Sequence, residues 1–286
     1  MPRLGLHSLA VTPLWNPAEA DSYFPGMKAL GVSAFEVPLL DPATFDSRGT
    51  RAAFERHGLI PICSLGLPDV IDIVNRPDEA ATFLDAVVTA AKEAGSDVLS
   101  GVTYGTIGKV SGSPPTKAEH DAIARLIGHV GKTAKSLGMR LGLEPCNRYE
   151  THLLNTAKQT AAMIERIGLD NLFIHLDTYH MNIEEQGLSR GFEEAGEHLG
   201  YVHLSESNRG VPGLGTIDWD DAFAGLKAVG FDGIMTLESF VHVAPELAGG
   251  LAVWRPVADN PDDVVARGIP YLAEAAKRAG ITIEAP

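Results

Sequence analysis

The chain has 286 residues, of which 45% are hydrophobic and 21% are charged, and this composition is typical of a folded globular protein. Its 37 acidic and 23 basic residues give a formal net charge of −14, which disfavours nucleic acid and anionic membrane surfaces as partners because both attract basic proteins. The chain contains no window of 18 apolar residues, so we expect no membrane-spanning helix.

Short apolar runs alternate with longer amphipathic stretches, and each such pair predicts a buried strand followed by a helix. Capping residues and glycines mark the helix ends: Asn16 followed by Pro17 predicts a helix start, and Gly31 predicts the end of that helix. The strands are predicted at 3–8, 34–39, 60–65, 98–102, 140–144, 172–177, 201–204 and 233–238. The helices that follow them are predicted at 16–30, 46–58, 77–95, 116–137, 155–168, 189–199, 218–230 and 261–279.

Eight strand–helix pairs predict parallel strands with crossover helices, closed into a single (β/α)₈ TIM barrel, an α/β fold, over residues 1–286. An open doubly wound sheet is the alternative, but no G-x-G-x-x-G motif follows the first strand. No change in composition marks a linker between domains. The segment 103–115 is rich in Gly, Ser and Pro, and we expect it to be either a lid over the site or a solvated insertion.

Four consecutive predicted strands each end in a residue that binds hard metal ions. Glu144 ends the fifth strand, Asp177 the sixth, His203 the seventh and Glu238 the eighth. Because the carboxyl ends of barrel strands meet at one face, we expect these side chains to converge. Three buried carboxylates repel one another, and a divalent cation removes that repulsion. The set therefore predicts a site for Mn²⁺, Mg²⁺ or Co²⁺.

Other acids and the two cysteines receive more ordinary interpretations. A single acid at a strand end is usually a solvated loop residue or a helix cap, and this is the expectation for Glu36, Asp41 and Glu206. Cys63 and Cys146 cannot form a disulfide framework, and no signal-peptide pattern precedes the first strand, so a reducing cytoplasm is the expected location. Neither cysteine has an evident activating partner, so both are expected to line the cavity as small side chains, with Cys63 in contact with substrate.

Four runs of residues carry a family resemblance: Leu-Glu-Pro-Cys-Asn-Arg-Tyr-Glu at 143–150, Leu-Asp-Thr-Tyr-His-Met-Asn-Ile-Glu-Glu at 176–185, Val-His-Leu-Ser-Glu-Ser-Asn-Arg at 202–209 and Leu-Glu-Ser-Phe at 237–240. They resemble the D-tagatose/D-psicose 3-epimerase family of ketose epimerases, which belongs to the xylose-isomerase-like barrels. The steps of 33, 26 and 35 residues between the four metal-binding residues resemble that family's spacing, and Trp254-Arg255 fits it too. The resemblance is strong over about 140–255 and only architectural before residue 100.

The resemblance implies a metal-dependent epimerase that interconverts free ketohexoses or ketopentoses at C3 through a cis-enediolate. It implies that Glu144 and Glu238 are both metal ligands and the acid/base pair. Asp177 and His203 are implied to be ligands only. Substrate contacts are expected from residues at or beyond the strand ends: Glu150, His180, Arg209 and His7.

The expected cofactor is Mn²⁺, with Co²⁺ or Mg²⁺ as alternatives, and the expected assembly is a homodimer or homotetramer. The same enediolate chemistry would serve an aldose–ketose isomerase of the hydroxypyruvate or inosose type, which is the alternative function. A metal-dependent endonuclease on this barrel would need more histidines and a basic groove. A non-catalytic sugar-binding barrel has no need of two flanking carboxylates. The sequence leaves the preferred ketose open.

Overall fold

The computed structural model describes residues 1–286, except for the side chains of residues 246 and 247. Its strands are parallel and close into a barrel in chain order, because the first strand pairs with both the second and the last. The predicted (β/α)₈ barrel is therefore confirmed. The strands are β1 Arg3–His7, β2 Val32–Pro38, β3 Ile60–Ser64, β4 Val98–Ser100, β5 Arg140–Leu143, β6 Leu172–Asp177, β7 Leu199–Leu204 and β8 Ile234–Leu237.

Helices follow every strand except β1, which leads first into the short 3₁₀ turns Ser8–Ala10 and Pro17–Glu19. The helices are α1 Ala20–Ala29, α2 Ser47–His57, α3 Pro77–Glu93, α4 Lys117–Ser136, α5 Ala157–Ile167, α6 Thr178–Glu184, α7 Leu188–Ala195, α8 Trp219–Ala228, α9 Pro245–Ala248 and α10 Asp262–Arg278. Among the described helices, none combines the length and the apolar character that crossing a bilayer requires.

Most predicted helix ends agree with the structure because local capping determines them. The Asp46 side chain accepts a hydrogen bond from the backbone of Gly49 at the start of α2, and Gly58 ends that helix in the left-handed conformation. At the start of α4, Thr116 and Glu119 form a reciprocal capping box. These contacts lie within a few residues of each other, so the sequence alone predicts them.

The largest difference from the predicted elements follows β6. A helix was expected only within 189–199, but the structure has two, α6 and α7, and α6 begins at the residue after the strand. The Asp177 side chain caps α6 by accepting from the backbone N–H of Tyr179 at 2.8 Å. No turn residues separate the strand from the helix, so the sequence offered no sign of a break. Strand β4 is also shorter than predicted and ends at Ser100.

The interior of the barrel is filled toward the amino ends of the strands. Ala34, Ile62, Phe173 and Tyr201 form a cluster there, separate from the main core between strands and helices. Arg140, the first residue of β5, lies over the Phe173 ring with 4.7 Å between the guanidinium carbon and the ring centroid. Side chains therefore close the amino end, and the chemistry is confined to the carboxyl end of the barrel.

Candidate active site

A cavity of about 240 Å³ lies at the carboxyl ends of the strands. Its apolar lining comes from the loops after β3, β4 and β8, with Leu65, Leu67, Val102, Ile107 and Leu251. Its titratable lining comes from residues on or directly after five different strands: His7, Glu36, Glu144, His203 and Glu238. The cavity therefore offers both charged and apolar side chains to a bound molecule.

The structure brings the four predicted metal-binding side chains together. Asp177, His203 and Glu238 each offer one ligand atom, and these three atoms lie within 4.8 Å of one another. Glu144 joins the same centre through a second such group, which it forms with His175 and His203. Asp177 is almost fully enclosed beneath the cavity wall, whereas Glu144 and Glu238 reach the cavity surface.

The buried carboxylates have pKa values displaced in opposite directions. Burial raises the pKa of Glu144 well above its ordinary value, and Glu238 and Asp177 add to this by repulsion. Burial also raises the pKa of Asp177. At Glu238 the effect of burial is outweighed by His203 and Arg209, so the pKa of this carboxyl lies well below its ordinary value. Neighbouring acids whose pKa values are driven apart are typical of acid/base sites.

Arg209 is buried in the site, although arginine on a loop is usually solvated. Its Nη1 donates to Asp177 Oδ2 at 2.5 Å and to a carboxylate oxygen of Glu238. The guanidinium is stacked between two rings, 4.0 Å from the centroid of Tyr179 and 4.5 Å from that of Phe240. The residue has a backbone φ of 60°, a strained conformation for a side chain of this size, which the surrounding contacts maintain.

His180 is held by a residue that the sequence analysis did not single out. The backbone N–H and the side-chain amide of Asn147 both face His180 Nδ1, at 3.2 and 2.9 Å, and the same amide donates to Glu150 Oε1 at 2.9 Å. Burial lowers the pKa of His180, so the ring is neutral. Donors face both ring nitrogens: Asn147 at Nδ1, and Arg209 Nη2 at 3.3 Å from Nε2. That nitrogen faces the cavity, 3.8 Å from Glu144 Oε1.

Glu36 was expected to be solvated, and that expectation was wrong. Its side chain is 1% exposed, and Oε2 accepts from His203 Nε2 at 2.6 Å and from the Tyr201 hydroxyl at 2.5 Å. Burial raises the pKa of Glu36, but His203 and His7 outweigh it and lower the pKa to about 2. At His203 burial opposes the charged form, yet Glu238 and Glu36 together raise its pKa well above the ordinary value. A lone acid within a strand gave no sign of these long-range partners.

Asp41 and Glu206 were also expected to be solvated loop residues or helix caps, and their environments differ. Asp41 is exposed and accepts from the backbone N–H of Ala43, as expected for a loop residue. Glu206 is fully buried and caps no helix, so its predicted role was wrong. Its carboxylate holds the loop after β7 by accepting hydrogen bonds from four donors: the backbone N–H groups of Ser207, Gly213 and Ile217, and the indole N–H of Trp219.

His7 lies in the cavity, whereas Cys63 does not. The His7 ring accepts from the backbone N–H of Leu9 through Nδ1 at 3.2 Å, which leaves Nε2 directed at Glu36 and Glu238. Cys63 is fully buried in the core between strands and helices and is absent from the cavity lining, so its predicted contact with substrate is corrected. On β3 successive side chains alternate, and Ser64, the next residue, takes the cavity-facing position instead.

The segment 103–115 divides into two parts. Thr106 and Ile107 line the cavity, and the backbone N–H of Gly108 donates to the carbonyl of Glu150 at 2.8 Å. Residues 109–114 are exposed. The first part therefore contributes to the cavity wall, and the second part is the solvated portion.

The donors at this centre suit a hard divalent cation. Carboxylate oxygens from three residues and one imidazole nitrogen are the ligand types expected for Mn²⁺, Co²⁺ or Mg²⁺. His203 Nδ1 is buried and forms no hydrogen bond to the described residues, although Glu238 Oε1 is 3.3 Å away. Buried polar atoms rarely lack a partner. Glu144, Asp177, His203 and Glu238 therefore have the donor atoms that a cation needs, and His203 Nδ1 is available to bind it.

The fold and this centre define a class of protein. The family model described as Xylose isomerase-like TIM barrel matches residues 26–273.

Comparison with characterised proteins narrows the class. The chain is 37% identical to "Ketose 3-epimerase" of Arthrobacter globiformis over 91% of this chain and 92% of that protein. It is 33% identical to "L-ribulose 3-epimerase" of Methylomonas sp. (strain DH-1) over 94% and 96%. A crystal structure of D-allulose 3-epimerase from Methylomonas sp. in complex with D-allulose superposes with a TM-score of 0.90 at 31% identity, covering 96% and 97% of the two chains. The chain belongs to the ketose 3-epimerase family of xylose isomerase-like barrels, and it is an enzyme of the isomerase class.

Proposed function

We propose that this enzyme interconverts free ketoses that differ in configuration at C3, and that it requires a divalent cation. Relatives that match nearly the full chain are named as 3-epimerases of ketoses. The observation that carries the proposal is the pairing of two buried carboxylates at one cavity: Glu144 and Glu238 come from different strands, and each lies close to His203 in a group of potential ligand atoms.

Epimerisation at C3 removes a proton next to the ketose carbonyl and returns a proton to the opposite face. One carboxylate accepts the C3 proton, the electron pair of the C–H bond forms the enediolate, and the other carboxyl donates its proton to C3 from the other side. Glu144 and Glu238, which reach the cavity from different strands, are proposed to share these two roles. The reverse reaction exchanges these roles.

The cation would be held by Glu144, Asp177, His203 and Glu238. When bound, it polarises the carbonyl and stabilises the negative charge of the enediolate. We propose Mn²⁺ as the cofactor, with Co²⁺ or Mg²⁺ as substitutes, because the donors are mainly oxygen with one imidazole.

Four further side chains are proposed to bind the sugar. His180 places Nε2 in the cavity, next to Glu144, and is proposed to donate from it to a carbonyl or hydroxyl oxygen of the sugar. Arg209 adds a positive charge beside Glu238. Glu150 accepts a hydrogen bond from the side-chain amide of Asn147, which also contacts His180. His7 reaches the cavity from β1, and its Nε2 is 3.9 Å from Glu238 Oε1.

We also propose a homodimer or homotetramer located in the cytoplasm. Large apolar side chains are exposed on loops that follow seven of the eight strands, around the cavity: Leu14, Leu40, Val70, Val110, Tyr149, Leu214 and Trp254. Light scattering on the purified protein tests the assembly.

Chelation and product analysis test the proposed function. The purified enzyme is treated with a chelator, dialysed, and incubated with fructose, tagatose or ribulose, with and without added Mn²⁺. We expect no turnover without metal and C3 epimers as the chromatographic products after Mn²⁺ is restored. Formation of aldoses in place of C3 epimers would favour the isomerase alternative, and full turnover by metal-free protein would refute the cation requirement.

A further inference from the structure

Glu36 approaches the proposed metal centre from the far side of the barrel. It lies on β2, its partner His203 lies on β7, and 167 residues separate them. Their contact, 2.6 Å between Oε2 and Nε2, crosses the barrel interior, because β2 and β7 are not neighbours in the sheet. Glu36 belongs to none of the groups of potential metal ligands, so its carboxylate is available for a different task.

We propose that Glu36 is a positioning residue that holds the His203 imidazole with its proton on Nε2 and with Nδ1 free to bind the cation. The proposal rests on the metal-dependent function argued above. A histidine that binds a metal through one nitrogen commonly donates its other N–H to a carboxylate, which orients the ring and increases the basicity of the ligating nitrogen.

The contacts of His203 agree with a separate role for each ring nitrogen, Nε2 donating to Glu36 and Nδ1 binding the cation. Nε2 is occupied by Glu36, whereas Nδ1 has no hydrogen-bond partner among the described residues and lies on the side of Asp177 and Glu238. The His175 ring packs edge-on against the imidazole, with 4.0 Å between centroids, and limits its rotation. Turning the ring over would remove Nδ1 from the other ligands and break the bond to Glu36.

Glu36 is itself held in place. A carboxylate oxygen only accepts, so the Tyr201 hydroxyl donates to Glu36, and the Thr236 hydroxyl, 2.6 Å from the Tyr201 oxygen, then donates to Tyr201. This chain of hydroxyls fixes the carboxylate from below while His203 contacts it from above. A buried hydrogen-bond network of this kind restricts the position of every member.

Metal affinity is the first test. The Kd for Mn²⁺ is measured by electron paramagnetic resonance on wild-type protein, Glu36→Gln and a control, Glu206→Gln. The control also removes a fully buried carboxylate, but one bonded to the loop after β7 and to the Trp219 indole at the start of α8. We expect Glu36→Gln to bind Mn²⁺ about 10- to 100-fold more weakly, and the control to bind as the wild type does. Equal affinity of Glu36→Gln and wild type would overturn the proposal.

The imidazole proton is the second test, and a merely structural role for Glu36 would not affect it. In the Co²⁺-loaded enzyme the Nε2 proton of a bound histidine gives a hyperfine-shifted, solvent-exchangeable proton resonance. We expect slow exchange in wild type and fast exchange or loss of the signal in Glu36→Gln. An unchanged signal contradicts the proposal.

A second variant covers the case in which Glu36→Gln does not fold. Glu36→Asp keeps the buried charge but shortens the side chain by one methylene, so it should weaken both the Mn²⁺ affinity and the protection of the proton. Failure of wild-type protein to bind Mn²⁺ would refute the proposed metal site itself. Normal binding by wild type and by both Glu36 variants would refute only the role of Glu36.

Discussion

At the level of single residues, burial and immediate neighbours give the same chemical group different tasks. Glu36, Glu144, Glu206 and Glu238 are all buried glutamates. Glu206 accepts hydrogen bonds from a loop and lies outside the cavity lining, whereas Glu36, Glu144 and Glu238 all line the cavity. At Glu36, Oε2 already accepts from a histidine and a tyrosine. We therefore propose that Glu144 and Glu238 exchange protons with a bound sugar, because a proton donor or acceptor must lie within hydrogen-bonding reach of the reacting atom.

Replacement of either cavity glutamate tests the proton transfer. We expect Glu144→Gln and Glu238→Gln each to lower the rate of C3 epimerisation by about 10²- to 10⁴-fold, the range that positioned acid/base groups contribute. The measurement is deuterium incorporation at C3 from heavy water, read by NMR. Glu206→Gln serves as the matched buried control and should retain the exchange. Normal incorporation in either cavity variant would remove that residue from the acid/base role.

At the level of elements, contacts at the start of α4 are expected to make stability depend on pH. Burial raises the pKa of Glu119, but hydrogen bonds from Thr116 and His152 outweigh it and lower the pKa to about 2. A carboxyl with a lowered pKa stabilises the folded state above its unfolded pKa, about 4.3, and loses that contribution as the pH falls toward 2.

The Glu119→Gln variant should therefore lose less stability than the wild type between pH 6 and pH 3. The measurement is the free energy of unfolding from urea titrations at the two pH values. Thr116→Ser, which keeps the hydroxyl of the capping box, should behave as the wild type does. Identical pH dependence in Glu119→Gln and wild type would show that this contact contributes nothing to acid sensitivity.

At the level of the whole molecule, closure of the barrel depends on tight packing inside it. Gly200 on β7 lies against the Phe173 side chain, and a Cβ atom at this position would come within 2.7 Å of it. The ring occupies the interior below the active site, so the strands on either side of it must carry small residues.

Gly200→Ala should destabilise the protein by about 1–3 kcal/mol, the usual range for overpacking a core. The matched control is Gly26→Ala within α1, where an added Cβ meets nothing within 4 Å. That change should be neutral or should stabilise the protein by about 0.5–1 kcal/mol. Thermal and urea unfolding measure both variants, and equal stability of the two would contradict the packing argument.

Sequence alone predicted the features that depend on neighbouring residues. These are the alternation of strands and helices, most helix ends, and the residues that end β5 to β8, since strand periodicity and capping act over a few positions. The convergence of Glu144, Asp177, His203 and Glu238 could also be predicted, because the parallel barrel directs all strand ends to one face. That residues 1–286 form one domain stays a prediction.

Only the tertiary structure revealed the contacts between residues that are distant along the chain. The pairing of Glu36 with His203, the link from Asn147 to His180, and the burial of Arg209 between Tyr179 and Phe240 all join different loops or strands. The sequence determined the set of chemical groups and the barrel that carries them. Closure of the barrel decided which groups meet, because hydrogen bonds, burial and pKa values depend on distances that appear only when the strands are brought together.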